Sequence, residues 1–140
     1  MKGTIHEFHI EHYGQAIALW KRTPGVGLSA ADERERIAGF LRRNPGLSFV
    51  VSLDGNVAGT ILCGHDGLRG LIHHLVVDSE FRRSGYGRAL VAAAMEGLRA
   101  AGIDKAHLLV FRSNLDGLAF WRRVSVERVE LTLFSIATAQ

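Results

Sequence analysis

The sequence predicts an α/β protein: a central mixed sheet of about six strands with helices on both faces. Three observations predict it. The apolar run Leu71 to Val77 leads into a loop rich in glycine and arginine, then a helical pattern, then another apolar run, which is the order of a βαβ unit. Upstream, the runs Leu47 to Leu53 and Asn56 to Leu62 flank Asp54-Gly55, a strong hairpin signal. Two segments near the start carry apolar residues at helical spacing.

Taken in order, Thr4 to Ile10 reads as a short strand, and Tyr13 to Trp20, with Ala16, Ile17, Leu19 and Trp20, as a first helix. After the loop from Thr23 to Leu28, Ser29 is a good N-cap, and Asp32 and Glu33 suit the positive end of a helix running to about Arg43. Asn44-Pro45-Gly46 ends it. The two hairpin strands and Leu71 to Val77 form an antiparallel meander. A helix over Arg88 to Ala101, stopped by Gly102, crosses to a strand at Ala106 to Phe111, and that crossover is expected to be right-handed. A short helix, Leu115 to Arg123, and a closing strand near Arg128 to Ser135 complete the pattern. No repeat or linker interrupts it, so residues 1–140 read as one domain.

Composition narrows the function classes. The chain of 140 residues is long enough for a real core, and 17 Lys+Arg against 14 Asp+Glu is too small a surplus to argue for nucleic acid. Its basic residues are not interleaved with aromatics as in a strand-binding platform. Cys63 is the only cysteine, which excludes an internal disulfide and a cysteine metal cluster. His6, His9 and His12 lack a companion carboxylate cluster, so no metal is expected. The opening MKGTIHEFHI lacks the apolar core of a signal peptide, and no run reaches membrane-spanning length; a soluble, cytoplasmic protein without a membrane partner is the expectation.

Chemistry concentrates in Phe81 to Leu90, FRRSGYGRAL. The first turn of a helix has unpaired N–H groups and partial positive charge. Gly85 and Gly87 let a phosphate approach those amides, and Arg82, Arg83 and Arg88 add charge with phosphate-matching geometry. A pyrophosphate is the natural guest. A Walker loop needs Gly-Lys-Ser/Thr after its spacer, and a dinucleotide fingerprint needs a third glycine where Leu90 stands. The remaining alternative is a plain glycine turn on an arginine-dotted surface.

Leu75-Val76-Val77-Asp78, a spacer, then Arg82-x-x-Gly85-x-Gly87 resembles the acetyl-coenzyme A signature of the GCN5-related N-acetyltransferases (GNAT), and the element order resembles their fold over nearly the whole chain. The resemblance implies an enzyme that moves an acetyl group from acetyl-CoA to a primary amine, small or on a peptide or protein, by direct attack in a ternary complex. It implies that the backbone of Leu75, Val76 and Val77 pairs with the pantetheine arm and holds the thioester carbonyl. Arg82, Arg83, Ser84, Gly85, Tyr86, Gly87 and Arg88 would cradle the pyrophosphate, Asn114 would contact the cofactor arm, and Phe120 would pack near its thiol end.

Two departures stand out. Trp121 occupies the position of the tyrosine that most relatives use as general acid, and Ser125-Val126 replaces a Gly-Phe pair. An indole cannot serve as an acid. The loss is small, because a thiol with a pKa of about 8.5 is protonated at pH 7 for roughly 2 kcal/mol, whereas presenting a lysine-like amine neutral costs roughly 4 to 5 kcal/mol. A base matters more. His73 matches a position from which some relatives drain the amine's proton; adjacent His74 is expected on the opposite face, and internal hydrogen bonding is the alternative role for either. His65 and Asp66, in the turn before the cofactor strand, and Trp20, where the first helices wall the acceptor site in this fold, are candidates for acceptor contact. The departures also motivate an alternative, a coenzyme A-binding sensor or interaction module without turnover. An exposed closing strand makes a homodimer the expected assembly, if any.

Overall fold

Apolar alternation in the first part of the chain becomes a five-stranded sheet with strands in chain order, β1 Thr4–Glu7, β2 Phe49–Leu53, β3 Asn56–His65, β4 Gly70–Val77 and β5 Ala106–Leu108. The computed structural model describes residues 2–139. It divides into two compact units, one ending at Leu109 and the other beginning at Val110. β1 to β4 pair antiparallel, and β5 joins β4 in parallel, so the sheet is mixed as its loop lengths require.

Helices cover both faces because strand residues alternate sides. Val50 packs with Ala16, Leu19 and Trp20 of α1 (Tyr13–Lys21) and Ile37 of α2 (Arg34–Arg43). Neighbouring Val51 serves the other face, beneath α3 (Tyr86–Ala100): a Cβ built on Gly59 would lie 2.9 Å from Val51 and 3.3 Å from Leu90 of α3. Glycine at 59 therefore sets how closely α3 approaches the sheet. α3 ends in a Schellman motif, with Gly102 at φ 81° and the Ile103 N–H reaching the Leu98 carbonyl at 2.9 Å.

Several boundaries differ from expectation. Ser29 does cap a helical turn, but that turn is a 3-10 segment, Ala30–Asp32; Glu33 is extended (ψ 151°) and the α-helix restarts at Arg34. The break has a cause in Asp32, whose carboxylate turns back to the Ser29 N–H at 2.9 Å and outward to β4. α3 begins two residues earlier than its apolar spacing suggests, and β5 is shorter, ending at Leu108. In the second unit the helix appears as α4, Leu115–Val124, capped by the Asn114 side chain on the Gly117 N–H at 3.0 Å. No closing strand follows among the described residues: the sheet has five strands, not six. Val129, Leu131 and Leu133 alternate as strand residues do, but alternation without a hydrogen-bonded neighbour makes no strand. The reason offered for a homodimer disappears with that strand.

Leu90 is fully buried, so Leu90→Ala is expected to lower stability by about 2 to 5 kcal/mol, read as a lower urea midpoint with an unchanged m-value.

Candidate active site

β4 is bonded to β3 along its length but to β5 only over Gly70, Ile72 and the residue between them. Beyond Ile72 its outer edge has no strand partner among the described residues. At its C-terminal end, the Asp78 N–H bonds back to Ala58 at 2.8 Å, so by alternation the Val77 peptide groups face the outer edge, where the Val77 carbonyl lies 3.4 Å from the Arg82 Nε. An extended ligand can pair with such an edge as a strand would.

The turn that follows is tied down at its start. Asp78 accepts from the Glu80 N–H at 3.1 Å and from Arg22, at the end of α1, at 2.7 Å. The Arg22 guanidinium holds the Asp78 carboxyl below the usual range. Two left-handed residues then turn the chain, Arg83 at φ 63° and Gly85 at φ 82°, the latter being the N-cap of α3. A Cβ at Gly85 would meet nothing, so glycine is needed there for its torsion and not for space. The first α3 bond runs from the Ala89 N–H to the Gly85 carbonyl, leaving the amides of Tyr86, Gly87 and Arg88 at the helix head. Arg82, Arg83, Ser84 and Arg88 are exposed around it. Tyr86 sends its ring away from this turn to accept the Gly3 N–H at 2.8 Å, so its backbone is what it offers a phosphate.

In the middle of β4 the register shifts, so that His74 and Leu75 stand against Ile61 alone. His74 sits in this bulge at φ 47°. The shift breaks strand alternation and overturns the expectation that the two histidines face opposite sides: their ring centres are 6.5 Å apart, with His73 against Phe40 of α2 and His74 against Trp20 of α1 at 4.5 Å. His74 Nε2 meets Asp32 Oδ1 at 2.6 Å in a largely buried pair. His73 is exposed, yet the protein around it strips part of its hydration and His74 adds to the effect; together they hold its pKa below the ordinary 6.5, against an opposing pull from Asp32.

The other expected site residues are placed less centrally. Trp20 is fully buried, donating from its indole N–H to Thr60 Oγ1 at 2.9 Å; it reaches the surface near β4 only through His74. His65 and Asp66 close their own turn. His65 Nδ1 accepts from Gly67 at 2.9 Å, and Asp66 Oδ1 accepts from Leu68 and Arg69, bonds that keep its carboxyl below the usual range. That turn adjoins the N-terminal end of β4, whereas the arginine loop follows its C-terminal end. In the second unit Asn114 is occupied as the α4 cap, and the Phe120 and Trp121 rings meet edge to face at 5.2 Å. Among the described residues, no group of three or more His, Cys, Asp or Glu is arranged to hold a metal, and no helix is long and apolar enough to cross a membrane. The Asp32–His74 pair and the bond from the Thr60 hydroxyl to the His74 carbonyl, 2.8 Å, are what sequence reasoning missed. Their partners lie 42 and 14 residues apart, and no local pattern signals either.

Residues 13–125 match the model of the acetyltransferase (GNAT) family. The chain belongs to that family. It is 36% identical over 114 residues to an acetyltransferase of Photorhabdus laumondii, covering 79% of this chain and 76% of that one. The fold is similar to that of Ard1 from Thermoplasma volcanium (TM-score 0.77, 23% identity, 89% of this chain and 82% of that one). It is also similar to the PaiA N-acetyltransferase of Thermoplasma acidophilum, solved with coenzyme A (TM-score 0.75, 20% identity, 89% of each chain). As a GNAT member the protein is an acetyl-CoA-dependent N-acetyltransferase. The unpaired β4 edge and the amide-headed arginine loop fit the two ends of such a co-substrate, an extended amide-bearing arm and a pyrophosphate.

Gly85→Ala places a side chain at φ 82°, at a cost of about 1 to 2 kcal/mol. Calorimetric titration should show acetyl-CoA binding weakened by about tenfold, with a further loss in the Arg83→Ala, Gly85→Ala double variant.

Proposed function

We propose that this protein acetylates a primary amine by direct attack in a ternary complex, with His73 as the base and the backbone of Leu75 to Val77 holding the thioester carbonyl. The observation that carries this reading is the juxtaposition on β4. His73 stands exposed two residues before the outward-facing stretch that begins at Leu75.

In this reading the amides of Tyr86, Gly87 and Arg88, with Arg82, Arg83 and Ser84, bind the pyrophosphate. Main-chain groups of β4 beyond the bulge align the arm and polarise the carbonyl, acting without reorganisation because the sheet already fixes them. As the amine nitrogen bonds to the carbonyl carbon and the carbon–sulfur bond breaks, His73 Nδ1 or Nε2, directly or through one water, takes the proton from nitrogen, and the thiolate leaves. A depressed pKa keeps His73 neutral, and so able to accept, at pH 7. Trp121 supplies no acid in this scheme, and none is demanded, since protonating the thiolate is worth only roughly 2 kcal/mol. Asn114 and Phe120 are proposed to contact the arm and the thiol end. His65 and Asp66 are proposed to face the acceptor, with Trp20 contributing only from behind His74. The family match spans the boundary between the two units, which supports a single acetyltransferase domain over the whole chain.

His73→Ala should lower kcat by about 100-fold with acetyl-CoA binding unchanged. Because the His73 pKa lies below 6.5, wild-type turnover should hold as pH falls to that value and drop only below it, and the variant should lose this acid limb. Unchanged kcat and limb would remove His73 from the mechanism. Tight cofactor binding with no thiol release across polyamines, amino acids, aminoglycosides and peptides would instead point to a sensor.

A further inference from the structure

His74 is held through its carbonyl, its ring face and its Nε2. Its carbonyl accepts from Thr60 Oγ1 at 2.8 Å, and the same buried hydroxyl receives the Trp20 indole N–H at 2.9 Å. Its ring lies 4.5 Å from the Trp20 ring, and its Nε2 meets Asp32 Oδ1 at 2.6 Å. Asp32 is itself fixed: its second oxygen accepts the Ser29 N–H at 2.9 Å, and its carbonyl accepts the Tyr13 hydroxyl at 2.6 Å. This convergence surrounds a non-glycine residue at φ 47°, a conformation that persists only where the surroundings over-determine it. The bulge so held is the feature that puts the His73 ring 6.5 Å from the His74 ring, on the side of α1 and α2.

We infer that Asp32 and His74 form a positioning dyad for acetyl transfer: the carboxylate clamps the imidazole, the clamp holds the left-handed bulge of β4, and the bulge aims His73. Neither residue touches reactants in this account; they act through His73 and the β4 backbone. The dyad also fastens the Ser29 to Asp32 turn, between α1 and α2, directly to the strand that carries the base. The inference rests on the reading of His73 as base, and its test separates the two.

Thiol release from acetyl-CoA would be followed with an amine panel (spermidine, an aminoglycoside, an alanine-terminated peptide) and with water alone, in His73→Ala, His74→Gly, Asp32→Ala and Asp32→Asn. His74→Gly tolerates the positive φ while removing the clamp, so it separates the clamp from backbone strain. The expected result is a fall in kcat of about 10- to 100-fold in His74→Gly and Asp32→Ala, with acetyl-CoA affinity kept. Asp32→Asn, whose carboxamide can keep its oxygen on the Ser29 N–H and turn its N–H to a neutral His74 Nε2, should restore most of the turnover. Combining His74→Gly with His73→Ala should add no further loss. Wild-type kcat in His74→Gly while His73→Ala is impaired overturns the dyad and leaves the base standing. Wild-type kcat in His73→Ala overturns the base and the dyad with it. Additive losses, or affinity lost in step with kcat, also overturn the dyad. If no acceptor in the panel reacts, nitrogen-detected NMR of the imidazoles decides: the dyad requires His73 ring signals to move in His74→Gly and to return in Asp32→Asn relative to Asp32→Ala, and signals that stay still overturn it.

Discussion

A strand paired on one edge for its whole length and on the other for only its first residues is the constraint on which this protein depends. Had β5 followed β4 past Ile72, every main-chain group of β4 would be consumed inside the sheet. Because it does not, Leu75 to Val77 retain peptide groups on an open edge, and the strand that organises the core is also the surface that can receive an extended ligand. The α3 side of the sheet tolerates this because β3 pairs with β4 on both sides of the bulge and Gly59 lets Leu90 of α3 close down on the sheet.

The two ends of that edge are prepared differently. At the C-terminal end, the proposed phosphate loop is built from backbone: two left-handed residues, a helix head and arginines, with Asp78 bonded to Arg22 at its start. Such a site needs little long-range support, since a helix terminus carries its charge wherever it lies. At the bulge, by contrast, nothing local would keep His74 left-handed. The support comes from α1 through Trp20, from β3 through Thr60 and from the turn before α2 through Asp32. A buried carboxylate–imidazole pair is poor value as stability alone, because desolvation offsets its attraction. In the proposed role its worth lies in geometry, which would account for a polar cluster set against an otherwise apolar core of Phe8, Leu19, Val50 and Val76.

Electrostatics at His73, the proposed base, follow from the same arrangement. His73 is near enough to His74 to feel it, and crowded enough to lose hydration, so its proton affinity falls; Asp32 restrains that fall. The family's usual acid being replaced by Trp121 matters less than this tuning. A thiolate is a tolerable leaving group near neutral pH, and an ammonium is no nucleophile.

What could be read from the residues is what local chemistry enforces. The Asp54-Gly55 hairpin, the helix end at Gly102, the helix start at Leu115 and the glycine–arginine loop each depend on neighbours a few positions away, and each appears where expected. The family, too, was legible in that loop. The errors share the opposite character. Arg128 to Ser135 alternates like a strand, but a strand exists only by virtue of a partner that alternation cannot supply. Ser29 to Arg43 has the spacing of one helix, but Asp32 is drawn out of it toward a histidine 42 residues away. His73 and His74 should have parted to opposite faces; a one-residue shift of register, invisible in sequence, brought their rings within 6.5 Å of each other. Local pattern specifies which elements form and where phosphate can bind. Long-range contacts alone specify which edge stays open, which residue is strained and which histidine faces the solvent, because each of these depends on groups the chain brings together only by folding.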